Sequence, residues 1–280
     1  MNIPFYEYGD SGTPLHFLHA NGYPPACYNP LLELLTTQYH VFGMLLRPLW
    51  PDSKLDELKD WHPLSEDLLQ FLSTRKSKPA IGVGHSIGGI VTLRAALRDP
   101  QKFSLLVLLD PVLFPPYFIL MWNVLRILGL GRLTHPMIPG ALKRRREFDD
   151  LELVYRGYRT RLIFRYLSDA DLRIYIKGIT KPKADGGYTL AYTPEWESHI
   201  YYTGVWRDMD LWRGLKYLRV PTLIIRGAES NTFWEQSARL VRRKQPKIQV
   251  ISLQKTTHLL PLERPTDVFN MMHAFVKETL

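Results

Sequence analysis

A serine between two glycines is the feature of this sequence best suited to chemistry. The stretch from Gly84 to Gly88 reads Gly-His-Ser-Ile-Gly, with Ser86 at its centre. A short apolar run precedes it and a helical pattern over 90–98 follows, so Ser86 stands at a sharp turn from a strand into a helix. Glycines relieve the crowding in so tight a turn. The pattern predicts a nucleophilic serine, with the backbone N–H of Ile87 aimed at a developing oxyanion.

A nucleophilic serine needs a base, and His258 stands where one is expected. It follows the last predicted strand, over 248–253, in a loop late in the chain, and the other histidines lie away from such a loop. The chain order Ser, acid, His is typical of a nucleophile elbow on a parallel sheet. We therefore predict that His258 takes the proton of Ser86 and that a carboxylate orients its ring.

Strands and helices alternate in two parts of the chain, 1–112 and 218–280. The run over 103–109 is apolar throughout, as is typical of a strand inside a parallel sheet. The sequence predicts an α/β fold with a mostly parallel central sheet flanked by helices, formed by these two parts. Residues 113–217 are predicted to form an inserted helical cap over the C-terminal edge of the strands. Helical patterns lie in this cap over 117–128, 140–148, 151–166 and 169–177.

The composition is that of a soluble globular protein. Of 280 residues, 45% are hydrophobic and 22% are charged. The single cysteine, Cys27, excludes an internal disulfide framework and favours a reducing compartment. The first residues lack the basic region and apolar core of a signal peptide, and charges and prolines break the most apolar stretch, 105–131. We predict a cytoplasmic protein with no transmembrane segment.

The net charge of +9 is interpreted as a solubility feature, or as attraction to anionic substrates or membrane surfaces. No recognisable nucleic-acid-binding module accompanies it, so nucleic acid is not an expected partner. Anionic substrates and peripheral contact with a membrane surface both stay open. The sequence has no phosphate-binding loop and no cluster of metal ligands, and we expect neither a cofactor nor a metal.

The chain resembles the α/β-hydrolase fold superfamily over 4–112 and 218–280. The matching segments are His19-Ala20-Asn21-Gly22, Gly84 to Gly89, Asp110-Pro111, Pro221 to Gly227, His258 and Glu263-Arg264-Pro265. The chain is similar to capped ester-, epoxide- and halide-cleaving members. It is most similar to an uncharacterised hydrolase branch with the loops His-Ala-Asn-Gly and Arg-Pro-Leu-Trp-Pro. A nucleophilic serine argues against the epoxide and halide chemistries, for which such members use aspartate.

The resemblance implies a second oxyanion donor and a place for the acid. The donor is the backbone N–H of Asn21, with the alternative that Asn21 only shapes a turn. Many relatives carry Gly-x-x-Asp after the seventh strand, but here Ser230 stands at the aspartate position. Other relatives place the acid after the sixth strand, where this chain has Asp110.

We predict that Asp110 is the acid and that its carboxylate lies within about 3 Å of a ring nitrogen of His258. Glu229 is the second candidate. Asn231 could orient the imidazole but not stabilise its positive charge. The absence of any functional acid is a further alternative.

The predicted cap contributes aromatic and basic side chains. A candidate acyl-binding wall consists of Phe114, Tyr117, Met121 and Trp122, with the alternative that these residues form core between cap and sheet. The run Lys143-Arg144-Arg145-Arg146 is predicted to be a solvated helix face, or alternatively a contact for an anionic headgroup or a cofactor-linked thioester.

The resemblance, with Ser86 and His258, implies a serine hydrolase that acts on a small-molecule carboxylic ester or thioester. An acyl chain with an anionic end would suit the apolar and basic character of the cap. Two alternatives stay open. One is a cofactor-independent lyase or transferase that uses the same residues. The other is a catalytically silent ligand-binding protein, for which Ser230 at the usual acid position argues.

Overall fold

The computed structural model describes residues 3–9, 11–75 and 78–280. The strands in these ranges are β1 (Phe5–Tyr8), β2 (Thr13–Leu18), β3 (Tyr39–Met44), β4 (Ala80–His85), β5 (Phe103–Leu109), β6 (Glu147–Phe148), β7 (Thr180–Pro182), β8 (Tyr188–Leu190), β9 (Thr222–Gly227) and β10 (Gln249–Leu253). The helices are α1 (Asn29–Thr36), α2 (His62–Thr74), α3 (Ile87–Arg98), α4 (Pro116–Ile127), α5 (Gly131–Thr134), α6 (Ile138–Leu142), α7 (Leu151–Arg159), α8 (Asp169–Ile179), α9 (Pro194–Thr203), α10 (Met209–Gly214), α11 (Glu235–Lys244), α12 (Leu260–Glu263) and α13 (Pro265–Thr279). Among these helices, none combines the length and the apolar character needed to cross a membrane.

Seven strands of the described chain form one sheet, in the order β1-β3-β2-β4-β5-β9-β10. Each neighbouring pair is parallel except β1 with β3. β4 is the middle strand, and all of its residues are buried. A parallel strand covered on both faces needs no polar side, which explains why the sequence of β4 is apolar without alternation. The mostly parallel central sheet that the sequence predicted is confirmed.

Helices cover both faces of this sheet. Leu105 and Val107 of β5 pack in one layer of core with α1 and α13. Leu106 and Leu108 point to the other face and pack with α2 and α3. Successive side chains of a strand point to opposite faces, so the apolar run of β5 supplies both layers.

The carboxyl ends of the parallel strands meet at one edge of the sheet. Gly84 near the end of β4 is in register with Leu108 of β5, and Leu109 of β5 is in register with Ile225 of β9. The residues that follow β4, β5 and β10 are therefore brought to the same edge. This edge is where open α/β sheets place their sites.

The segment between β5 and β9 contains α4 to α10 and a three-stranded antiparallel sheet in the order β6-β8-β7. The helix predicted over 140–148 is wrong in its second half, because α6 ends at Leu142 and Glu147–Phe148 pair with β8. β7 and β8 form a hairpin that turns through Gly186 and Gly187, at φ of +97° and +70°. Asp185-Gly186-Gly187 is a hairpin signal that the prediction overlooked. The extent of the cap, 113–217, stays a prediction.

Candidate active site

Ser86 occupies a strained turn between β4 and α3. Its backbone is at φ 58° and ψ −119°, outside the regions that side chains favour. A Cβ at position 84 would lie 2.4 Å from the carbonyl carbon of Gly88, and one at position 88 would lie 2.2 Å from the carbonyl oxygen of Leu18. Only glycine fits at both positions, so the close packing of helix on sheet depends on them. The Ser86 N–H is held by the Leu109 carbonyl at 3.0 Å.

The side chains of Ser86, His258 and Asp110 form one hydrogen-bonded chain. The Ser86 hydroxyl lies 2.9 Å from His258 Nε2, and His258 Nδ1 lies 2.7 Å from Asp110 Oδ2. The sequence predicted about 3 Å for the second distance. With Nδ1–H donating to the carboxylate, Nε2 is left free to accept the serine proton. The geometry is that of a nucleophile, a base and a group that orients the base.

Asp110 is fully buried, with its backbone in the left-handed region at φ 43°. Its Oδ1 accepts a hydrogen bond from the Gly227 N–H at 3.0 Å. Its Oδ2 accepts from the Ser230 hydroxyl as well as from His258. A buried polar group needs hydrogen-bond partners, and these three donors supply them. Ser230 thus stands at the usual acid position as a donor to the acid, a role that the sequence analysis missed.

The backbone N–H groups of Asn21 and Ile87 are available to an incoming group. Within the described residues, neither donates a hydrogen bond to another part of the protein. Ile87 is the first residue of α3, where N–H groups have no partner inside the helix. The Asn21 side chain points elsewhere, because its Nδ2 donates to the Glu197 carbonyl at 3.1 Å. Their assignment to an oxyanion hole remains a proposal.

A family model of the alpha/beta hydrolase family matches residues 17–271. The chain belongs to the alpha/beta hydrolase family. The α/β-hydrolase resemblance is thereby confirmed, and membership supports hydrolase activity.

Relatives of this alpha/beta hydrolase include two curated proteins. The uncharacterized hydrolase YugF of Bacillus subtilis (strain 168) is 26% identical over 99% of this chain and 95% of its own length. The type I acyl-CoA thioesterase mpaH' of Penicillium brevicompactum is 30% identical over 35% of this chain. That match spans only 26% of the thioesterase's length.

Among solved structures, E-2-(acetamidomethylene)succinate hydrolase matches with a TM-score of 0.77 at 19% identity. The match covers 98% of this chain and 94% of the other. At this identity the likeness shows the fold alone.

The other acid candidates of this alpha/beta hydrolase lie outside the hydrogen-bonded chain. Glu229 is exposed and accepts from Arg165 at 2.5 Å and from the Tyr166 hydroxyl at 2.9 Å. The bond to Arg165 lowers the pKa of Glu229. Asn231 accepts from the neighbouring Thr232 hydroxyl at 3.3 Å. Within the described residues, neither side chain forms a hydrogen bond to His258.

His85, next to the serine, links two loops of the site. The Tyr28 hydroxyl donates to His85 Nδ1 at 2.8 Å, and His85 Nε2–H donates to the backbone carbonyl of His258 at 2.8 Å. The Tyr28 oxygen in turn accepts from the Ala20 N–H at 3.1 Å. Burial lowers the pKa of His85 well below 6.5, so its ring is neutral and fixed in one tautomer. This connection, which the sequence analysis missed, joins the Asn21 loop to the His258 loop.

Glu263 fastens the loop that carries His258. Its carboxylate accepts from the Thr257 N–H at 2.7 Å and from the Thr257 hydroxyl at 2.6 Å. Burial raises the pKa of Glu263, and the two bonds from Thr257 oppose that shift. The Glu-Arg-Pro motif noted in the sequence therefore has a local structural use, which is to hold residue 257 beside the base.

The basic run of the inserted segment divides between interior and surface. Arg144 is turned inward and pairs with the Glu197 carboxylate, with side-chain exposures of 15% and 10%. That carboxylate packs against Gly22, where an added Cβ would lie 3.2 Å from Glu197 Cδ. Arg146 pairs with Glu195 at the surface. The prediction of a solvated helix face was wrong, because the four residues follow the end of α6 at Leu142. Arg144 also is not solvated, since a carboxylate 53 residues away in sequence draws it inward.

The four residues of the predicted acyl-binding wall do not share one environment. Phe114 packs on Phe118, with ring centroids 4.5 Å apart. Trp122 is buried and donates to the Gly204 carbonyl at 2.9 Å. Tyr117 and Met121 are 56% and 48% exposed. Trp122 therefore fits the alternative that these residues form core between cap and sheet, while Tyr117 and Met121 face outward.

Proposed function

We propose that this alpha/beta hydrolase is a serine hydrolase that cleaves a carboxylic ester or thioester through an acyl-enzyme on Ser86. The observation that carries the proposal is the continuous hydrogen-bonded chain from the Ser86 hydroxyl through His258 to Asp110, at 2.9 and 2.7 Å. Acyl transfer requires a nucleophile, a base and a group that orients the base, in this order.

The proposed reaction has two halves. Ser86 Oγ attacks the substrate carbonyl carbon while its proton passes to His258 Nε2, and Asp110 stabilises the imidazolium. The N–H groups of Ile87 and Asn21 bind the oxyanion. When the carbon–oxygen or carbon–sulfur bond breaks, the proton passes from Nε2 to the departing alcohol or thiol. Water then attacks the acyl-enzyme, gives one proton to His258, and releases the acid and free Ser86.

The substrate class follows from the inserted segment and one relative. Residues 113–214 contain 16 Lys and Arg and 11 Asp and Glu, so they carry 16 − 11 = +5 of the net +9. A positive, apolar segment suits an acyl chain with an anionic end. The 30% identity to a fungal acyl-CoA thioesterase over 116 residues supports a thioester as one such substrate. We propose that 113–217 acts as the cap that screens substrates, with Phe114 on its inner side.

The hydrogen bonds around Asp110 favour an enzyme over a silent ligand-binding protein. The alternative of a silent binding protein was based on Ser230 standing at the usual acid position. Ser230, however, donates a hydrogen bond to the carboxylate of Asp110, which follows another strand. We also keep a cytoplasmic location as a proposal, on the single cysteine, Cys27, which is buried.

A serine-directed fluorophosphonate tests the nucleophile. We expect the wild-type protein to be labelled and to hydrolyse p-nitrophenyl esters, tested in a series of increasing acyl length, together with acyl-CoA thioesters. Ser86→Ala should lose labelling and lower kcat by about 10⁶-fold, with an unchanged unfolding transition. Ser73→Ala, at an exposed serine on α2, is the matched control. Wild-type turnover by Ser86→Ala would refute the proposal.

Salt dependence tests the anionic end of the substrate. Raising the salt concentration from about 0.1 M to about 1 M shortens the Debye length from about 10 Å to about 3 Å. We expect KM to rise for anionic esters and to stay nearly constant for neutral esters of the same acyl length. If KM responds to salt identically for anionic and neutral esters, the charge of the cap serves solubility alone.

A further inference from the structure

Helix α4 is apolar on both of its faces. One face packs into the protein through Ile119 and Trp122, which are 0% and 4% exposed. The opposite face spans an arc of about 120° on the helix, at 100° per residue. Its six large apolar side chains are between 48% and 74% exposed: Tyr117, Leu120, Met121, Val124, Ile127 and Leu128. A helix on the surface of a globular protein normally carries polar residues there.

The exposed apolar surface continues beyond the end of α4. After the turn at Gly129, Leu130 and Leu133 of the α5 region are 40% and 81% exposed, and Met137 and Leu142 are 45% and 48% exposed. We call the exposed side chains of 117–142 the α4–α5 face. So many exposed apolar side chains in one segment are unusual on a monomeric protein, and exposed apolar surfaces of this kind mark sites of interaction.

The charged residues of the segment that forms the α4–α5 face are all basic. The sequence from 111 to 146 has no acidic residue and six basic ones: Arg126, Arg132, Lys143, Arg144, Arg145 and Arg146. Arg132 and Lys143 are exposed, and within the described residues neither forms an ion pair. Glu195, which lines the same cavity as Arg132, is already paired with Arg146. Apolar and basic side chains thus share one surface, with no acidic residue contributed by this segment.

We propose that the α4–α5 face binds the surface of an anionic lipid bilayer. Aliphatic side chains from one helix face enter the boundary between headgroups and acyl chains, and basic residues beside them attract anionic headgroups. A second copy of the chain suits this surface less well. A two-fold interface would place the same basic residues opposite each other, where they repel.

Sedimentation with vesicles tests this docking. Wild-type protein should bind vesicles of equal parts phosphatidylcholine and phosphatidylglycerol, and bind vesicles of phosphatidylcholine alone much more weakly. Leu120→Glu combined with Val124→Glu should lower the partition coefficient by more than about tenfold. Arg132→Gln combined with Lys143→Gln should lower it by about 25-fold on the anionic vesicles, since each basic residue contributes about fivefold. The same pair should have little effect on phosphatidylcholine alone.

Tyr217→Glu is the matched control, because Tyr217 is 69% exposed and precedes β9, at the sheet edge opposite Ser86. All variants change exposed residues, and unchanged unfolding midpoints would show that they fold. Wild-type protein that stays in solution with both vesicle types would overturn the proposal. So would equal loss of binding in the Tyr217 variant. A wild-type dimer in light scattering that the Leu120 and Val124 substitutions dissociate would assign the face to a second copy instead.

Discussion

Two histidine–aspartate pairs in this protein have the same separation and different surroundings. His258 Nδ1 lies 2.7 Å from Asp110, and His62 Nε2 lies 2.7 Å from Asp210. The other ring nitrogen of His258 faces the Ser86 hydroxyl at 2.9 Å, while the other nitrogen of His62 faces Asp60 at 3.0 Å. The first ring can accept a proton from its neighbour. The second is enclosed by carboxylates, which favour the ring that already carries both protons.

The second pair belongs to a partly buried charge cluster beside α3. Arg94 of α3 donates to Asp208 at 2.6 Å and to Asp210 at 3.3 Å. The hydrogen bond that His62 Nε2–H donates to Asp210 raises the pKa of His62. Both ring nitrogens of His62 face carboxylates and neither faces a hydroxyl, so this cluster lacks the nucleophile that the first pair has. What a histidine does is decided by the group on its second nitrogen, and the distance to an aspartate does not reveal it.

The largest contrast between the pairs should appear in turnover. Asp110→Asn leaves a neutral partner that cannot stabilise the imidazolium and that favours the wrong tautomer of His258. We expect kcat to fall by about 10⁴-fold. Asp210→Asn, the same change in the other pair, should alter kcat by no more than a few-fold. The measurement is ester turnover at saturating substrate. Equal losses in both variants would mean that the two pairs are not functionally distinct.

For the free energy of unfolding, we expect the charge cluster around Arg94 to show the large effect. Arg94→Met removes the partner of Asp208, which is 1% exposed and whose pKa burial raises to about 6. A buried carboxylate left alone costs about 3–5 kcal/mol in the free energy of unfolding. Arg98→Met, which removes an exposed partner of Glu66 on the same helix, should cost less than about 1 kcal/mol. Urea unfolding at neutral pH measures both, and a similar small loss in each would show that the cluster contributes little.

The pH dependence of stability sharpens the comparison further. The raised pKa of His62 means that the folded chain holds this proton more tightly than the unfolded chain. The resulting stability is complete below about pH 6.5 and is lost as the pH rises through the pKa of the folded state. We expect the free energy of unfolding to fall with pH in this window, and the fall to be smaller in His62→Gln.

The control for the pH experiment is His135→Gln. Burial lowers the pKa of His135 to about 4, so this group contributes to the pH dependence with the opposite sign. A fall of stability that is flattened by His135→Gln and untouched by His62→Gln would contradict the assignment.

The smallest effect is expected at the carboxylate that meets no histidine. Glu229→Gln weakens only exposed contacts, with Arg165 and with the Tyr166 hydroxyl. We expect kcat to change by less than twofold and the free energy of unfolding to change little, because exposed ion pairs contribute little; the same turnover and urea assays measure both. Asn231→Ala should behave alike. A loss of orders of magnitude in kcat for Glu229→Gln would move the acid from Asp110 to Glu229.

The site residues that could be predicted from sequence are those whose positions are determined by the parallel sheet alone. Ser86, Asp110 and His258 each follow a strand, and strand ends meet at one edge, so their proximity needs no knowledge of side-chain packing. The donors around them were not foreseen. Ser230 contacts a carboxylate 120 residues away, and Glu197 meets Arg144 across 53 residues. Such contacts depend on loop conformations and on the inserted segment. The helices and strands of that segment are too short for a hydrophobic period in the sequence to predict how they pack.

Ser230 and His258 bind the same oxygen of Asp110. A carboxylate at position 230 would therefore lie beside both the present acid and the imidazole. Two carboxylates so close share a proton, so one stays charged and the base keeps a charged partner. Turnover of Asp110→Asn measured with and without Ser230→Asp tests this, since the added aspartate should restore part of the loss. If it does, a chain with both carboxylates would be a functional intermediate between an acid at the end of β5 and an acid at the end of β9.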